Sequence, residues 1–311
     1  LIPMNTTSRE TTWDGLEVAD DSPHGATIVV RRPAGDDGRF AYLLLHRAHY
    51  GVDYQGWWAW TPPAGSRQPE EAVRDAALRE LYEEAGITGG NVIPVDVSSQ
   101  WARFLLTVDT DTNVDLIDPE HDQYTWVDPA EAGRRCRPGM VGRQIPVADT
   151  IPTVGWTFRD LAVTDAAALW KDSPHHPSSR FSDRIDRAGL TARFGDWIDP
   201  SHAYTPHLAS ANGSPAGYLW HDGNDCGSIG LGAAITDPEY AGRGLGPSLI
   251  WAYLRQVVLP RHPDARWVEV SVRSRNISAI RTFDKAGFRG VGEESGTTRL
   301  RFDVAHWFGS G

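Results

Sequence analysis

Cysteine and lysine are nearly missing from this chain of 311 residues. The two cysteines, Cys136 and Cys226, form no metal or redox spacing, and they exclude a disulfide framework as the basis of the fold. A reducing cytoplasm is the expected compartment. No run of about 18 apolar residues occurs, so a membrane-spanning helix is not expected. The opening LIPMNTTSRE has no charged stretch followed by an apolar core, so no secretory signal is read there. Residues 1–150 hold 13 Arg and no Lys against 24 acidic residues, while 151–311 balance 17 against 17. The whole net charge of −11 therefore lies in the first half. That argues against nucleic acid as its partner. It suits metal ions or cationic ligands.

What is present reads as a soluble globular α/β chain of two domains. Residues 1 to about 21 are polar and acidic and read as a loose tail. The segments ATIVVRR and FAYLLLHR read as strands around the turn-rich PAGDDG. A helix is predicted from about Pro69 to Ala85, then strands at WARFLLTVD and YTWV and a short helix at Pro129–Arg135. Residues 137–155, rich in Pro and Gly, read as the linker, which narrows to 148–153 between domains over 22–147 and 154–309. In the second half GYLW, SIGLGAAIT, RWVEVSV and TTRLRFDV read as strands, with helices around 247–258 and 276–286.

Residues 79–86, RELYEEAG, set Glu80, Glu83 and Glu84 within about 100° of arc on a helix. Like charges at this spacing repel. Arg79 can pair with Glu83, but one guanidinium cannot neutralise three carboxylates, so a hard divalent cation is the natural counter-charge. A solvated acidic face is the plain alternative, and the better one for that stretch alone. The wider window GSRQPEEAVRDAALRELYEEAGI decides otherwise. It places Gly65, Glu71, Arg79-Glu80-Leu81, Glu83-Glu84 and Gly86-Ile87 at the fixed spacings of the Nudix hydrolase signature, which it resembles at every position.

That resemblance covers about 22–147 and implies an α/β/α sandwich with a mixed sheet. It implies Mg²⁺ or Mn²⁺ held by Glu80, Glu83, Glu84 and the Gly65 carbonyl, with Glu71 and Arg79 orienting the ligands. Glu83 and Glu84 carry over as catalytic as well as ligating. The implied reaction is hydrolysis of a nucleoside diphosphate linked to a further group. Glu120, in DPEHDQYTWV, resembles an outlying glutamate of dinucleoside polyphosphate hydrolases; it reads equally as a base or as a turn residue after Pro119. Of the basic residues that could grip phosphate near the loop, only Arg67 is at hand. Trp57, Trp58 or Trp60 could stack a base, and alternation would place one of them in the core.

The second constellation is AGRGLGP, residues 241–247, between a strand and a helix. A glycine turn at a helix start leaves amides free to cradle a pyrophosphate, and residues 241–290 carry nine basic against three acidic residues. With NISAIRTFDKAGF (276–288) after RWVEVSVRS, it resembles the GNAT acyltransferases over about 154–309. The order GYLW…GSIGLGAAITDPEYAGRGLG further resembles the branch of aminoglycoside 6′-acetyltransferases and siderophore acyltransferases. This implies an acyl-CoA, most often acetyl-CoA, as co-substrate. Gly242, Arg243, Gly244, Leu245 and Gly246 would hold its pyrophosphate and Ile235 its pantetheine arm, with Asn276 and Phe283 also on the cofactor side. Asn276 reads equally as a helix N-cap. The region 171–210 would be a substrate lid. Where that branch often carries an Asp, this chain has Gly230, and where a Tyr is frequent it has Phe283. His221 and Asp222 are the nearest candidates for a base, or else a plain turn.

The expectation is thus a bifunctional cytoplasmic protein: a Nudix hydrolase joined to an N-acyltransferase, in specialised metabolism or drug modification. Its partners would be small molecules, a nucleoside diphosphate derivative and a small amine, with neither nucleic acid nor membrane; a homodimer is left open. The alternative makes only one domain catalytic and the other a nucleotide- or CoA-binding sensor or scaffold.

Overall fold

The structure is a computed structural model that describes residues 11–12, 15–170, 187–223 and 227–309. Most of the expected tail, Cys226 and the first part of the expected lid lie outside the described residues. Two compact units are formed, Leu1–Asp149 with Ala305–Gly311, and Thr150–Val304. Among the described residues no helix is long and apolar enough to cross a membrane.

The first unit is built on strands β1 (Gly25–Pro33), β2 (Phe40–Arg47), β3 (Trp60–Thr61), β4 (Ala64–Ser66), β5 (Ile93–Asp96), β6 (Trp101–Thr107) and β7 (His121–Val127). They run in the order β3-β2-β1-β6-β5, with β4 paired to β1 and β7 to β2. Only β1 and β6 are parallel, so the sheet is mixed, as expected. The apolar runs IVV and YLLL are buried, which explains their lack of alternation. The face of β1 and β2 bearing Arg31 and Tyr42 meets the helix Gln144–Asp149: Arg31 Nη1 donates to the Ala148 carbonyl at 2.9 Å and Tyr42 to Asp149 at 2.7 Å.

Helix α1 (Val73–Ala85) starts later than the sequence suggests. Glu70 sits in the left-handed region (φ 62), which breaks the chain before the helix, and Ala72 is the N-cap. Pro69 and Glu70 therefore lie in the loop rather than the first turn. The expected stop holds: Gly86 adopts φ 67 and donates its N–H to Tyr82. Helix α2 (Pro129–Arg135) matches expectation and is capped by Asp128, which accepts from the Glu131 amide.

The second unit is a sheet ordered β13-β14-β12-β11-β10-β9-β8. Its strands are β8 (Trp156–Asp160), β9 (Tyr204–Ala211), β10 (Ser214–Gly223), β11 (Ser228–Ile235), β12 (Trp267–Arg273), β13 (Arg289–Glu294) and β14 (Thr297–Asp303). Strands β11 and β12 are parallel, yet they pair only from Ser228↔Trp267 to Gly230↔Glu269. Beyond Gly230 they part, and residues 231–235 of β11 pair on the β10 side alone. The helix after β11 (Gly246–Tyr253) has Pro247 in its first turn and continues through a π-turn at Leu254–Val258. The helix Ile277–Lys285 is capped by Asn276, whose side chain accepts from the Ala279 amide at 3.3 Å.

Candidate active sites

In the first unit the four signature glutamates gather where the β4 loop meets the C-terminal half of α1. Arg79 is their hub. Its Nε and Nη2 donate to Glu71 at 2.8 and 3.0 Å, and its Nη1 donates to Glu80 at 2.7 Å and Glu83 at 2.9 Å. Glu71 also accepts from the Gln68 amide at 2.9 Å. The carboxyl of Glu80 lies directly over Gly65; a Cβ there would fall 2.0 Å from Glu80 Cδ, so only glycine allows the approach.

Glu84 is outside the reach of Arg79. It is 4% exposed, and its carboxylate accepts from the Ala64 amide at 2.9 Å. Burial raises it well above the usual carboxylate range, against the Ala64 hydrogen bond, with Glu80 adding to the rise. Burial likewise pushes Glu80 up to about 7 against the pull of Arg79. Beside Glu84 lies His121, Nε2 to Oε1 3.9 Å, buried and with neither ring nitrogen hydrogen-bonded. Sequence reasoning missed this imidazole, although it directly follows Glu120. Glu120 is tied to Arg47 at 2.6 Å.

Among the described residues no three His, Cys, Asp or Glu side chains converge closely enough to hold a metal, because Arg79 draws Glu80 and Glu83 to itself. The oxygen donors nevertheless fit a hard cation: the Glu84 carboxylate is buried without a cationic partner in contact, and Gly65 lets Glu80 close over the loop.

Arg67 does not grip phosphate. It is buried, and it donates to the carbonyls of Pro23, Asp21 and Glu71, so its role is to brace the loop. The basic groups that sequence reasoning missed line a cavity of about 660 Å³: Arg134, Arg135 and Arg137, with Trp60, Gln55 and Gln123. The Arg135 guanidinium stands 5.4 Å from the Trp60 ring. Trp60 is 5% exposed, Trp57 64% and Trp58 45%; one ring is in the core as expected, but Trp57 and Trp58 precede the strand, so alternation is not the cause.

In the second unit Gly242 and Gly244 take positive φ values of 79 and 76, which shapes the exposed loop ahead of Gly246–Tyr253. The first amides of that helix have no partner within it. Ile235 ends the unpaired edge of β11. Phe283 is buried, its ring packed edge-on against Phe288 at 5.0 Å.

Strand alternation separates the two candidate bases. His221 is 1% exposed and faces Tyr253, whose hydroxyl lies 2.8 Å from Nδ1 of both His221 and His207. Burial, with His207 and His262, lowers it to about 4. Asp222 points to the other face and accepts from the Gly230 amide at 2.8 Å. His221 is thus a core group, neutral at pH 7. An unfolded imidazole protonates near 6.5. Falling pH therefore charges the unfolded chain first, and the stability owed to neutral His221 is lost between about 6.5 and 4. That loss is about 3 kcal/mol at most. Urea midpoints at pH 7 and 4.5 check it: His221→Gln is expected to lose less between the two than the unaltered chain.

The NUDIX domain family model matches residues 22–146, and that of the acetyltransferase (GNAT) family matches 166–288. Over 120 residues the chain is 31% identical to the asymmetrical bis(5′-nucleosyl)-tetraphosphatase of Sus scrofa, covering 34% of this chain and 78% of that one. Over 100 residues it is 29% identical to the aminoglycoside N(6′)-acetyltransferase type 1 of Klebsiella pneumoniae, covering 28% and 49%. The chain thus spans about half the length of the curated acetyltransferases it matches. A solved AAC(6′)-Ib, in complex with paromomycin and acetyl-CoA, aligns over 49% of this chain and 95% of its own at 22% identity and TM-score 0.43. An Ap4A hydrolase of C. elegans aligns over 39% and 91% at 23% identity and TM-score 0.32.

Proposed function

Since the chain belongs to the Nudix family through its first unit and to the GNAT acetyltransferases through its second, we propose that it carries two activities. The first is divalent-cation-dependent hydrolysis of a nucleoside diphosphate derivative, with a dinucleoside polyphosphate the first substrate to try. The observation that carries this reading is the pairing pattern of the glutamates: Arg79 meets Glu71, Glu80 and Glu83 and leaves Glu84 buried beside an unpartnered His121.

Glu80, Glu83, Glu84 and the Gly65 carbonyl would hold Mg²⁺ or Mn²⁺. When bound, the cation offsets charge on the phosphates and acidifies a water. Arg79 and Glu71 keep the carboxylates in place. Glu120, held by Arg47, is the candidate to take the proton from the attacking water. The cavity floored by Trp60 offers an aromatic face and a guanidinium rim to an anionic, aromatic ligand. EDTA is expected to abolish nucleotide release from diadenosine tetraphosphate, with Mg²⁺ restoring it, and to leave acetyl transfer by the same chain unchanged.

The second activity is transfer of an acyl group, acetyl first, from CoA to a small amine. The amides of Gly242 to Gly246 would take the pyrophosphate, and the open edge of β11 up to Ile235 would take the amide-bearing arm. Asn276 sets the start of its helix beside that loop. Phe283, buried and without a hydroxyl, favours a second reading in which this unit binds CoA as a sensor. Acetyl-CoA binding by calorimetry without thiol release across an amine panel would decide for the sensor.

A further inference from the structure

Two glycines of β11 lie under side chains of the neighbouring strand. An ideal Cβ at Gly230 would meet Asp222 Oδ1 at 2.2 Å and its Cγ at 2.8 Å; one at Gly232 would meet Trp220 Cε2 at 2.3 Å. The absent side chains make room for Asp222 and Trp220 to lean across. Tyr204 of β9 completes the row, its ring 4.8 Å from that of Trp220 and inclined by 61°. Register fixes the arrangement: Tyr204 faces Asp222, and Asp222 faces Gly230.

Gly230 is also the last residue of β11 paired with β12, so the Asp222 carboxylate stands where the two strands part. One oxygen accepts from the Gly230 amide, and among the described residues the other has no hydrogen-bond partner. The next charges along the row, Glu269 and Arg301, satisfy each other at 2.7 Å, so Arg301 is engaged there and not with Asp222.

We propose that Asp222, with Trp220 and Tyr204, is the acceptor site of the acyltransferase unit, and that it takes a primary ammonium ion. This rests on the acyl-CoA reading above. A carboxylate beside two aromatic faces selects a cation by charge and by attraction to the rings. Its position at the fork brings the amine to the acyl end of a cofactor lying along the open edge. The carboxylate removes one proton from the ammonium. The free nitrogen then bonds to the acyl carbon as the carbon–sulfur bond breaks, and the surplus proton on nitrogen goes to the departing thiolate. Asp222 finally returns its proton to water. The sequence left His221 and Asp222 equal; the fold puts only Asp222 on this face.

The test follows thiol release from acetyl-CoA by the intact chain with spermidine, kanamycin and benzylamine, beside calorimetric titrations of acetyl-CoA and of each amine. Asp222→Asn keeps the acceptor for the Gly230 amide and loses the charge. It is expected to leave acetyl-CoA affinity unchanged and to lower kcat/KM for the amine on the order of 100-fold or more. Asp222→Gly is expected to fail likewise. The double variant Asp222→Gly, Gly230→Asp places a carboxylate in the vacated space from the other strand and is expected to regain much of the activity, which a merely structural aspartate would not do. The proposal falls if Asp222→Asn keeps its kcat/KM within about threefold, or if the folded double variant binds acetyl-CoA yet stays as inactive as Asp222→Gly. It also falls if the unaltered chain binds acetyl-CoA but neither binds nor acetylates any amine. Should the double variant not fold, Asp222→Asn decides. Failure of the unaltered chain to bind acetyl-CoA would overturn the underlying acyl-CoA reading and this site with it.

Discussion

Glu84→Gln is expected to lower nucleotide hydrolysis on the order of 1,000-fold while the chain becomes no less stable. The two effects have one cause. Glu84 is buried and has a backbone amide but no cation in contact, so its charge is costly in the chain without metal. Glutamine has the same shape and still accepts from the Ala64 amide, so the swap removes the cost and keeps the hydrogen bond. A side chain kept at the expense of stability is kept for what it binds. Glu80 and Glu83 have Arg79 to lean on, so the same replacement there gains less. Nucleotide release with saturating Mg²⁺, together with a thermal melt, reads both halves of the prediction. Acetyl transfer serves as the internal control. Unaltered hydrolysis in a folded Glu84→Gln chain would mean that the glutamates form only a braced acidic helix end.

Gly244→Val is expected to raise the dissociation constant for acetyl-CoA at least about tenfold and to spare hydrolysis. Gly244 holds φ 76, where a β-branched residue costs about 1–2 kcal/mol or more. The side chain can remove that strain only by reshaping the loop, which turns its amides away from their common focus. The added Cβ would sit 3.4 Å from Ile151 Cγ1, so relief on that side is limited. Calorimetry with acetyl-CoA measures the loss. An unchanged affinity in the folded variant would remove the loop from the binding site.

The elements that carry both sites were legible because they obey local rules. Gly86 ends α1 in the left-handed turn that glycine allows, and the buried runs of β1 and β2 read as strands. Asp128 caps its helix by short-range chemistry that the sequence shows openly. What escaped the sequence depends on neighbours far along the chain. The late start of α1 follows from Glu70 taking a conformation no propensity favours. Arg67 resembles a phosphate ligand until its three carbonyl partners are known. The cavity rimmed by Arg134, Arg135 and Arg137 joins residues of β7, a loop and α2. Gly230 reads as a missing aspartate along one strand; across the strand pair it is the space that Asp222 fills.

The parting of β11 and β12 has a consequence beyond chemistry. Beyond Gly230 the side of β11 that faces β12 has no ladder with it, and it offers backbone groups of the kind by which an extended segment adds to a strand. On the acyl-CoA reading, a pantetheine arm laid along this seam would close it. Chain without its co-substrate would, on the same reading, leave that strip open, and acyl-CoA would cover it as well as feed the reaction.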